Sequence, residues 1–313
     1  MKEVVIVSAC RTAIGTFGGS LRNMDVATMG SVVMKEAIKR ANIDPALIAD
    51  VRFGCCREPV DSLNATRISA LLAGVPETSM AATVNRVCIS GMEAVISSMA
   101  YIQSGFYDVA LCGGMEHMSG ITYSVPSARW GCRFQDQVFV DDIVHALFAG
   151  SRILPGLEQG PIKEGEIVER FRGKPYIMGI TAELIAYKHG LTREEIDEVA
   201  LRSHNNAERA TVEGDFKEEI VPIELPQKKG KPPKIFDKDE HFRPGLTMDE
   251  LAKLPPAFIS KIGKVTAGNS SGVNDGAAAM VIMSADKAKE LGLKPIARIK
   301  AVGGGGCHPS VMG

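Results

Sequence analysis

Cys88 lies between a strand-like run and a helix-like run, a position in which its thiol could act as a nucleophile for acyl transfer. Cys88 follows a short run rich in Ala, Thr and Val, Met80 to Val87, and precedes Ile89 to Ile102, where apolar residues recur at helical spacing. We therefore expect Cys88 to cap a helix. The unpaired N–H groups and the dipole of a helix start would stabilise a thiolate, lower the pKa of the thiol and accommodate the oxygen of an attacked carbonyl. A buried structural cysteine is the alternative, because free cysteines are often core residues.

The elements around Cys88 alternate between strand and helix over the first 120 residues. Apolar runs predict strands, and residues at helical spacing predict helices, the first of them opened by Asp25 as a cap. The strands are expected at Val4–Ser8, Val51–Cys55 and Val109–Cys112, and a further helix at Ala65–Ala73. This alternation predicts a parallel, layered α/β domain.

Residues 121–270 have more turn residues and charges and fewer predicted helices, which indicates a loop-rich inserted domain. Thr192 and Glu195 form a capping box that predicts a helix after them. Farther along, four lysines lie among prolines, and they form either a solvated loop or a local positive patch for phosphate groups: Lys228, Lys229, Lys231 and Lys234.

Size and composition limit the classes of function. A chain of 313 residues exceeds one typical core, so two or more domains are expected. With 36 basic and 37 acidic residues, the formal charge of -1 offers no overall field for nucleic acid. The seven cysteines lack CxxC spacing, and the amino terminus has neither a signal peptide nor a spanning segment. We expect reduced thiols, the cytoplasm, no membrane and no metal site.

Five segments, in order along residues 2–313, resemble the thiolases, the enzymes that make or cleave 3-ketoacyl-coenzyme A. Residues 85–94, NRVCISGMEA, are similar to the thiolase nucleophile segment, and residues 265–277, VTAGNSSGVNDGA, are the most specific match. The others are residues 11–19, RTAIGTFGG; residues 113–119, GGMEHMS; and residues 178–183, MGITAE.

The resemblance implies a thiolase-like layered α-β-α-β-α fold with an inserted loop domain. It divides the chain into an amino-terminal domain of residues 1–120 plus 272–292, a coenzyme A-binding loop domain of residues 121–271, and the start of a truncated carboxy-terminal domain at residues 293–313. The second half of the fold is therefore expected to be incomplete in this chain.

The resemblance also implies roles for single residues. Cys88 would be the acyl acceptor, Arg243 would contact the adenine nucleotide, and the Ser271 hydroxyl would hold the pantetheine arm. Four apolar residues would line the same tunnel, with ordinary core packing as the alternative for each: Ala267, Phe258, Met178 and Met312. Coenzyme A would be a substrate or product, with no permanently bound cofactor and no metal.

Three motifs that thiolases use for proton transfer have no counterpart here: a histidine in a Gly-His-Pro turn, a cysteine before Gly-Gly-Gly, and an asparagine in an Asn-Glu-x-Phe segment. We expect an incomplete version of a longer acetyl-CoA acetyltransferase-type thiolase, inactive in the full reaction but open to acylation at Cys88. The alternative is a non-catalytic or partner-dependent subunit that binds acyl-coenzyme A. A decarboxylating ketoacyl synthase is a third, disfavoured by the segment around Ser271.

The family also suggests a partner. Its members pair through the strand before the nucleophile, here Met80 to Val87, so a homodimer or a homotetramer is expected. Ile177 stands where biosynthetic members commonly have His, which weakens a preference for acetoacetyl-coenzyme A. Acyl chain length and the direction of the reaction stay open.

Overall fold

A computed structural model describes residues 1–60, 62–148, 165–171, 176–227 and 230–313. The chain divides into two compact units, and each is described by itself. The first consists of residues 1–121, 214–241 and 273–303, and the second of residues 122–213, 242–272 and 304–313.

The first unit is built on a sheet to which eight strands of the described chain belong. The strands are β1 (Val4–Thr12), β2 (Gly15–Thr16), β3 (Asp50–Gly54), β4 (Met80–Val84), β5 (Val109–His117), β8 (Ile220–Val221), β11 (Asn274–Ser284) and β12 (Ala297–Arg298). The main path of the sheet runs β12-β1-β11-β5-β3-β4, so β4 lies at one end; β2 pairs with β11, and β8 with β1.

The sheet is mixed, and the prediction of a parallel domain was wrong in this respect. Strands β3, β4 and β5 run parallel, whereas β11 lies antiparallel between β1 and β5. The reason is that β11 comes from late in the chain and inserts into the middle of the sheet. Segment 214–241, which the sequence placed in the inserted region, also joins this unit, since Ile220 pairs with Arg11. In the same segment β9 (Ile223–Leu225) pairs with β10 (Lys234–Phe236).

Helices cover both faces of the sheet because alternate residues of each strand point to opposite sides. On β5, Val109 and Leu111 belong to the core under α1 (Val26–Ala41) and α2 (Ala65–Leu72). Their neighbours Ala110 and Cys112 belong to the core under α3 (Ser90–Ser104). The unit is completed by α9 (Ala285–Glu290).

The regular elements of the second unit are mainly helices where it is described. Its strands β6 (Tyr123–Ser124) and β7 (Val140–Asp141) pair with each other. Its helices are α4 (Asp142–Leu147), α5 (Glu166–Phe171), α6 (Met178–Lys188), α7 (Arg193–Glu213) and α8 (Met248–Ala252). Across the described parts of both units, no helix is both long and apolar enough to cross a membrane.

Two predicted strands are shorter than expected. The strand expected to reach Val87 ends at Val84, since β3, its partner, ends at Gly54 opposite Val84. Apolar residues that alternate with Arg298 and Lys300 also predict a strand at Ile296 to Val302, but this strand is confined to Ala297–Arg298, which pair with only two residues of β1. Both differences have one cause: a strand continues only as far as its neighbour offers hydrogen bonds.

Candidate active site

Cys88 lies in the turn between β4 and α3, and the cysteine is exposed. The prediction that it caps the helix was wrong by one position, because Ile89 is the N-cap residue and α3 begins at Ser90. A turn precedes the helix, in which the Ser90 N–H donates to the Val87 carbonyl at 3.0 Å. The buried-cysteine alternative is excluded by the exposure of Cys88.

Two glycines of the strands, Gly54 and Gly114, allow the start of α3 to sit directly on the sheet. A Cβ added at Gly54, the last residue of β3, would lie 2.3 Å from the Gly91 nitrogen and 2.3 Å from the Ser90 carbonyl carbon. A Cβ at Gly114 of β5 would lie 3.4 Å from the Gly91 Cα. The turn that carries Cys88 is thus placed at the carboxyl ends of parallel strands, where α/β folds commonly bind ligands.

The other cysteines differ from Cys88 in burial. Burial raises the pKa of the Cys10 thiol to about 11, and it also raises the pKa of the thiols of Cys55 and Cys112. The pKa of the Cys56 thiol is also raised, mainly by partial burial and to a smaller extent by the nearby Glu116 carboxylate and by Cys88. The exposed thiols are therefore those of Cys88, Cys132 and Cys307.

Glu116 fixes the loop that follows β3 beside this turn. Its carboxylate accepts the backbone N–H groups of Cys56 at 2.8 Å and Arg57 at 2.9 Å. Burial raises the pKa of Glu116, although the two N–H groups act in the opposite direction. Glu116 belongs to the matched segment 113–119, and its contacts assign that residue to shaping the site.

The amino-terminal matched segment is held by two adjacent carboxylates. Asp239 accepts two bonds from the Arg11 guanidinium, at 2.8 and 3.0 Å, and the Ile14 N–H at 2.8 Å. Glu240 accepts the Thr16 N–H at 3.0 Å. The arginine of this segment therefore serves the fold, and the sequence did not reveal its carboxylate partners, which come from more than 200 positions later.

In the second unit, a buried carboxylate holds the loop that leads to Ser271. Glu183 of α6 is 1% exposed and accepts the N–H groups of Lys264 and Val265, each at 2.9 Å. The Asn269 amide donates to Asp197 of α7 at 2.8 Å and to the Lys264 carbonyl at 2.9 Å. These contacts account for Asn269, since residues 264–269 fold back on themselves between α6 and α7.

The predicted apolar lining residues group partly around the start of α6. Met178 is the first residue of that helix and is exposed. Phe258 packs against Gly179, and a Cβ added at Gly179 would lie 2.1 Å from the Phe258 ring carbon Cε2. The turn Pro309–Val311, which precedes Met312, packs on the same helix. Ala267 and Ser271 are both exposed on the loop held by Glu183.

Arg243 lies elsewhere in the second unit, beside α7. Its side chain is exposed, and its N–H donates to His204 Nδ1 at 3.1 Å. Of the predicted lysine cluster, Lys228 and Lys229 lie outside the described residues. Lys231 is exposed, and Lys234 is on β10 of the first unit, where it donates to the Ser20 hydroxyl at 3.3 Å. Within the described residues, no cluster of His, Cys, Asp and Glu could hold a metal ion.

Comparison with known proteins agrees with the architecture of both units. A family model described as the thiolase N-terminal domain matches residues 4–153 and 162–286. The acetyl-CoA acetyltransferase of Cupriavidus necator is 43% identical over 313 residues, which is 100% of this chain and 74% of that protein. The enzyme of the same name from Syntrophomonas wolfei is 43% identical over 314 residues, with 100% and 73% covered.

Solved structures give the same result. The crystal structure of the Bacillus anthracis acetyl-CoA acetyltransferase matches with a TM-score of 0.83 and 41% identity, over 95% of this chain and 69% of that one. Human mitochondrial 3-ketoacyl-CoA thiolase matches with a TM-score of 0.82 and 33% identity, over the same shares. The predicted fold class is thereby confirmed. With its whole length matched to acetyl-CoA acetyltransferases, the chain belongs to the thiolase family of enzymes.

Proposed function

We propose that this chain transfers acyl groups between coenzyme A thioesters through a thioester on Cys88, as an acetyl-CoA acetyltransferase-type thiolase that makes or cleaves 3-ketoacyl-coenzyme A. One observation carries the proposal: Cys88 is an exposed thiol in the turn that begins α3, within a segment matched to the family's nucleophile. An exposed thiol at such a turn can meet a thioester carbonyl without unfolding its surroundings.

The first half of the reaction needs only this thiol and hydrogen-bond donors. The Cys88 sulfur attacks the carbonyl carbon of acetyl-coenzyme A and its proton is released; the bond from that carbon to the coenzyme sulfur then breaks, and the coenzyme leaves as a thiol after taking up a proton. The negative charge that develops on the carbonyl oxygen in between is stabilised by backbone N–H groups such as those of a helix start.

For coenzyme A we propose the second unit. Ser271 would hold the pantetheine arm by its hydroxyl, Arg243 would contact the adenine nucleotide, and the apolar surface would come from Ala267, Phe258, Met178 and Met312. The exposure of Ser271, Ala267 and Met178 supports this assignment, because a residue that fills a core is closed to a ligand. Phe258 is the weakest member, since it packs against Gly179.

The test is acetylation of the purified chain by acetyl-coenzyme A, followed by mass spectrometry of its peptides. We expect one acetyl group on Cys88 and its loss in Cys88→Ala. Cys132→Ala and Cys307→Ala are matched controls, because both remove an exposed thiol outside the turn and should leave the modification intact. Acetylation of all three exposed cysteines at similar rates would refute a dedicated nucleophile.

The non-catalytic alternative makes a different prediction in the same experiment. A subunit that only binds acyl-coenzyme A would retain the ligand in equilibrium dialysis and leave Cys88 unmodified. The enzyme names of the relatives favour the catalytic reading. Thiolysis of acetoacetyl-coenzyme A, measured with the Cys88→Ala variant beside it, would then show whether the second half of the reaction also occurs.

Self-association is part of the proposal. Strand β4 is at one end of the sheet path in the described chain, and it is followed by exposed apolar side chains at Val87, Ile89 and Met92. A second copy that adds its own β4 would cover this edge, so we propose a homodimer or homotetramer. We also propose the cytoplasm, where thiols stay reduced, because all seven cysteines are free.

A further inference from the structure

The residue before the nucleophile has an unusual backbone conformation. Val87 has a φ of 51°, in the left-handed region that β-branched residues rarely adopt. Its side chain is 62% exposed, so burial of that side chain does not account for the conformation. Because Cys88 is attached directly to this peptide, the direction of its side chain depends on what holds Val87.

Two polar side chains hold the Val87 residue at its two ends. On one side, the Val87 N–H donates to Asn85 Oδ1 at 3.0 Å, while the Asn85 amide donates to the Cys56 carbonyl at 2.9 Å. On the other side, the Ser90 hydroxyl donates to the Val87 carbonyl at 2.5 Å and accepts the Arg86 N–H at 2.8 Å.

Both side chains are themselves anchored to the sheet. Asn85 reaches across to Cys56, in the loop that Glu116 fixes after β3. Ser90 is 4% exposed and lies against Gly54, where a Cβ would be 2.7 Å from the Ser90 Cβ. Asn85 and Ser90 together form a clamp. This clamp links the peptide that precedes Cys88 to the end of β3 and, through Glu116, to the end of β5.

We propose that Asn85 and Ser90 are positioning residues that hold Val87 in the left-handed conformation and thereby direct the Cys88 thiol toward its acyl donor. Neither side chain acts on the substrate. The inference deepens the proposed function, since it takes Cys88 as the acyl acceptor; the clamp on the backbone is testable on its own.

The central experiment is a rescue. In Ser90→Ala the Val87 carbonyl keeps the bond from the backbone N–H of residue 90 but loses its hydroxyl donor. The ratio of left-handed Val87 to its other conformations should fall by roughly 5- to 30-fold, the factor that corresponds to a lost buried hydrogen bond. We expect the rate of Cys88 acetylation to fall by a similar factor. Glycine adopts the left-handed conformation readily, so Val87→Gly combined with Ser90→Ala should recover most of the rate.

Two further variants distinguish an effect on the position of Cys88 from an effect on overall stability. Ser97→Ala removes a hydroxyl of the same helix that bonds only to Glu93 and Ala94 carbonyls, and its acetylation rate should equal that of the unaltered chain. Asn85→Ala removes the other half of the clamp and should also be rescued by Val87→Gly. Chemical denaturation of every variant verifies that it is folded.

A second readout works even if Cys88 accepts no acetyl group. Hydrogen exchange of the residue 87 amide, together with alkylation of Cys88 by iodoacetamide, reports the clamp without coenzyme A. We expect Ser90→Ala to raise that exchange by roughly 5- to 30-fold and to change the alkylation rate. The clamp would be overturned if folded Ser90→Ala showed unchanged hydrogen exchange and unchanged alkylation. It would also be overturned if Val87→Gly did not restore the acetylation rate lost in Ser90→Ala. An unacetylated Cys88 in the unaltered chain would overturn the proposed function alone.

Discussion

Gly54→Ala tests whether contact between β3 and α3 sets the position of the nucleophile. The new methyl would lie 2.3 Å from two backbone atoms of α3 and 2.7 Å from the Ser90 Cβ, whereas ordinary contact begins at 3.4 Å. Relief requires the start of the helix to move by about 1 Å, since backbone atoms cannot rotate away as a flexible side chain can. Overpacking of this kind costs about 1–3 kcal/mol of unfolding free energy.

The same shift should affect the chemistry more than the stability. A misplacement of about 1 Å in a reacting group can lower a rate by about 100-fold. We would measure Cys88 acetylation beside urea denaturation, and expect a rate reduced by 10- to 100-fold, on the order that this misplacement implies. Gly91→Ala is the matched control, because its Cβ would be 3.6 Å from the Gly113 oxygen and meets only ordinary contacts. The reasoning would be refuted if Gly54→Ala left the acetylation rate unchanged and its unfolding free energy lay within about 0.5 kcal/mol of that of the unaltered chain.

Three further predictions concern residues that shape the two units. Asp25 caps α1, and although partial burial opposes its ionisation, bonds from Thr28 lower the pKa of its carboxyl below the ordinary value. Asp25→Ala should therefore cost about 1 kcal/mol of unfolding free energy above pH ~4, and the difference from the unaltered chain should vanish as acid protonates the native carboxylate. Urea denaturation against pH, with Asp25→Asn as control, measures it. Glu183→Ala should cost about 2–5 kcal/mol by denaturation because it leaves buried N–H groups unpaired, whereas exposed Glu194→Ala should be neutral. Ser271→Ala should weaken coenzyme A binding by about 2- to 10-fold in calorimetry, while Ser270→Ala, which loses a 2.7 Å bond to the Thr266 carbonyl, should lower stability instead.

Local signals in the sequence predicted the elements that depend on local bonds. Asp25 does cap α1, its carboxylate accepting the Thr28 N–H at 2.8 Å. The capping box is also present, with the Thr192 N–H bonded to Glu195 at 2.7 Å and the Glu195 N–H bonded to the Thr192 hydroxyl at 3.1 Å. In both cases the donor and the acceptor are three residues apart, so the pattern carries the whole interaction.

The sequence was less informative where bonds join distant residues. Nothing near Val87 predicts a left-handed backbone, since valine itself disfavours it, and the strand was expected to run through this position. The pairing of Ile220 with Arg11, which brings segment 214–241 into the first unit, likewise depends on residues far apart in the chain. The six predicted coenzyme A contacts rest on family resemblance, because exposed Ser, Arg and Met residues show no periodicity that marks a ligand.

The surroundings of Cys88 explain why so small a segment can specify a reactive position. A helix placed on a sheet through ordinary side chains lies about 10 Å from it and can slide by the size of a side chain. At Gly54 the backbones of β3 and α3 are in direct contact, so the height of the first turn of α3 above β3 is fixed. Asn85 and Ser90 then fix the remaining freedom, the rotation of the peptide before the cysteine. Height and direction are thus set by different residues, but Ser90 lies against Gly54, so the effects of a glycine substitution and a hydroxyl substitution on the thiol should be coupled and not additive.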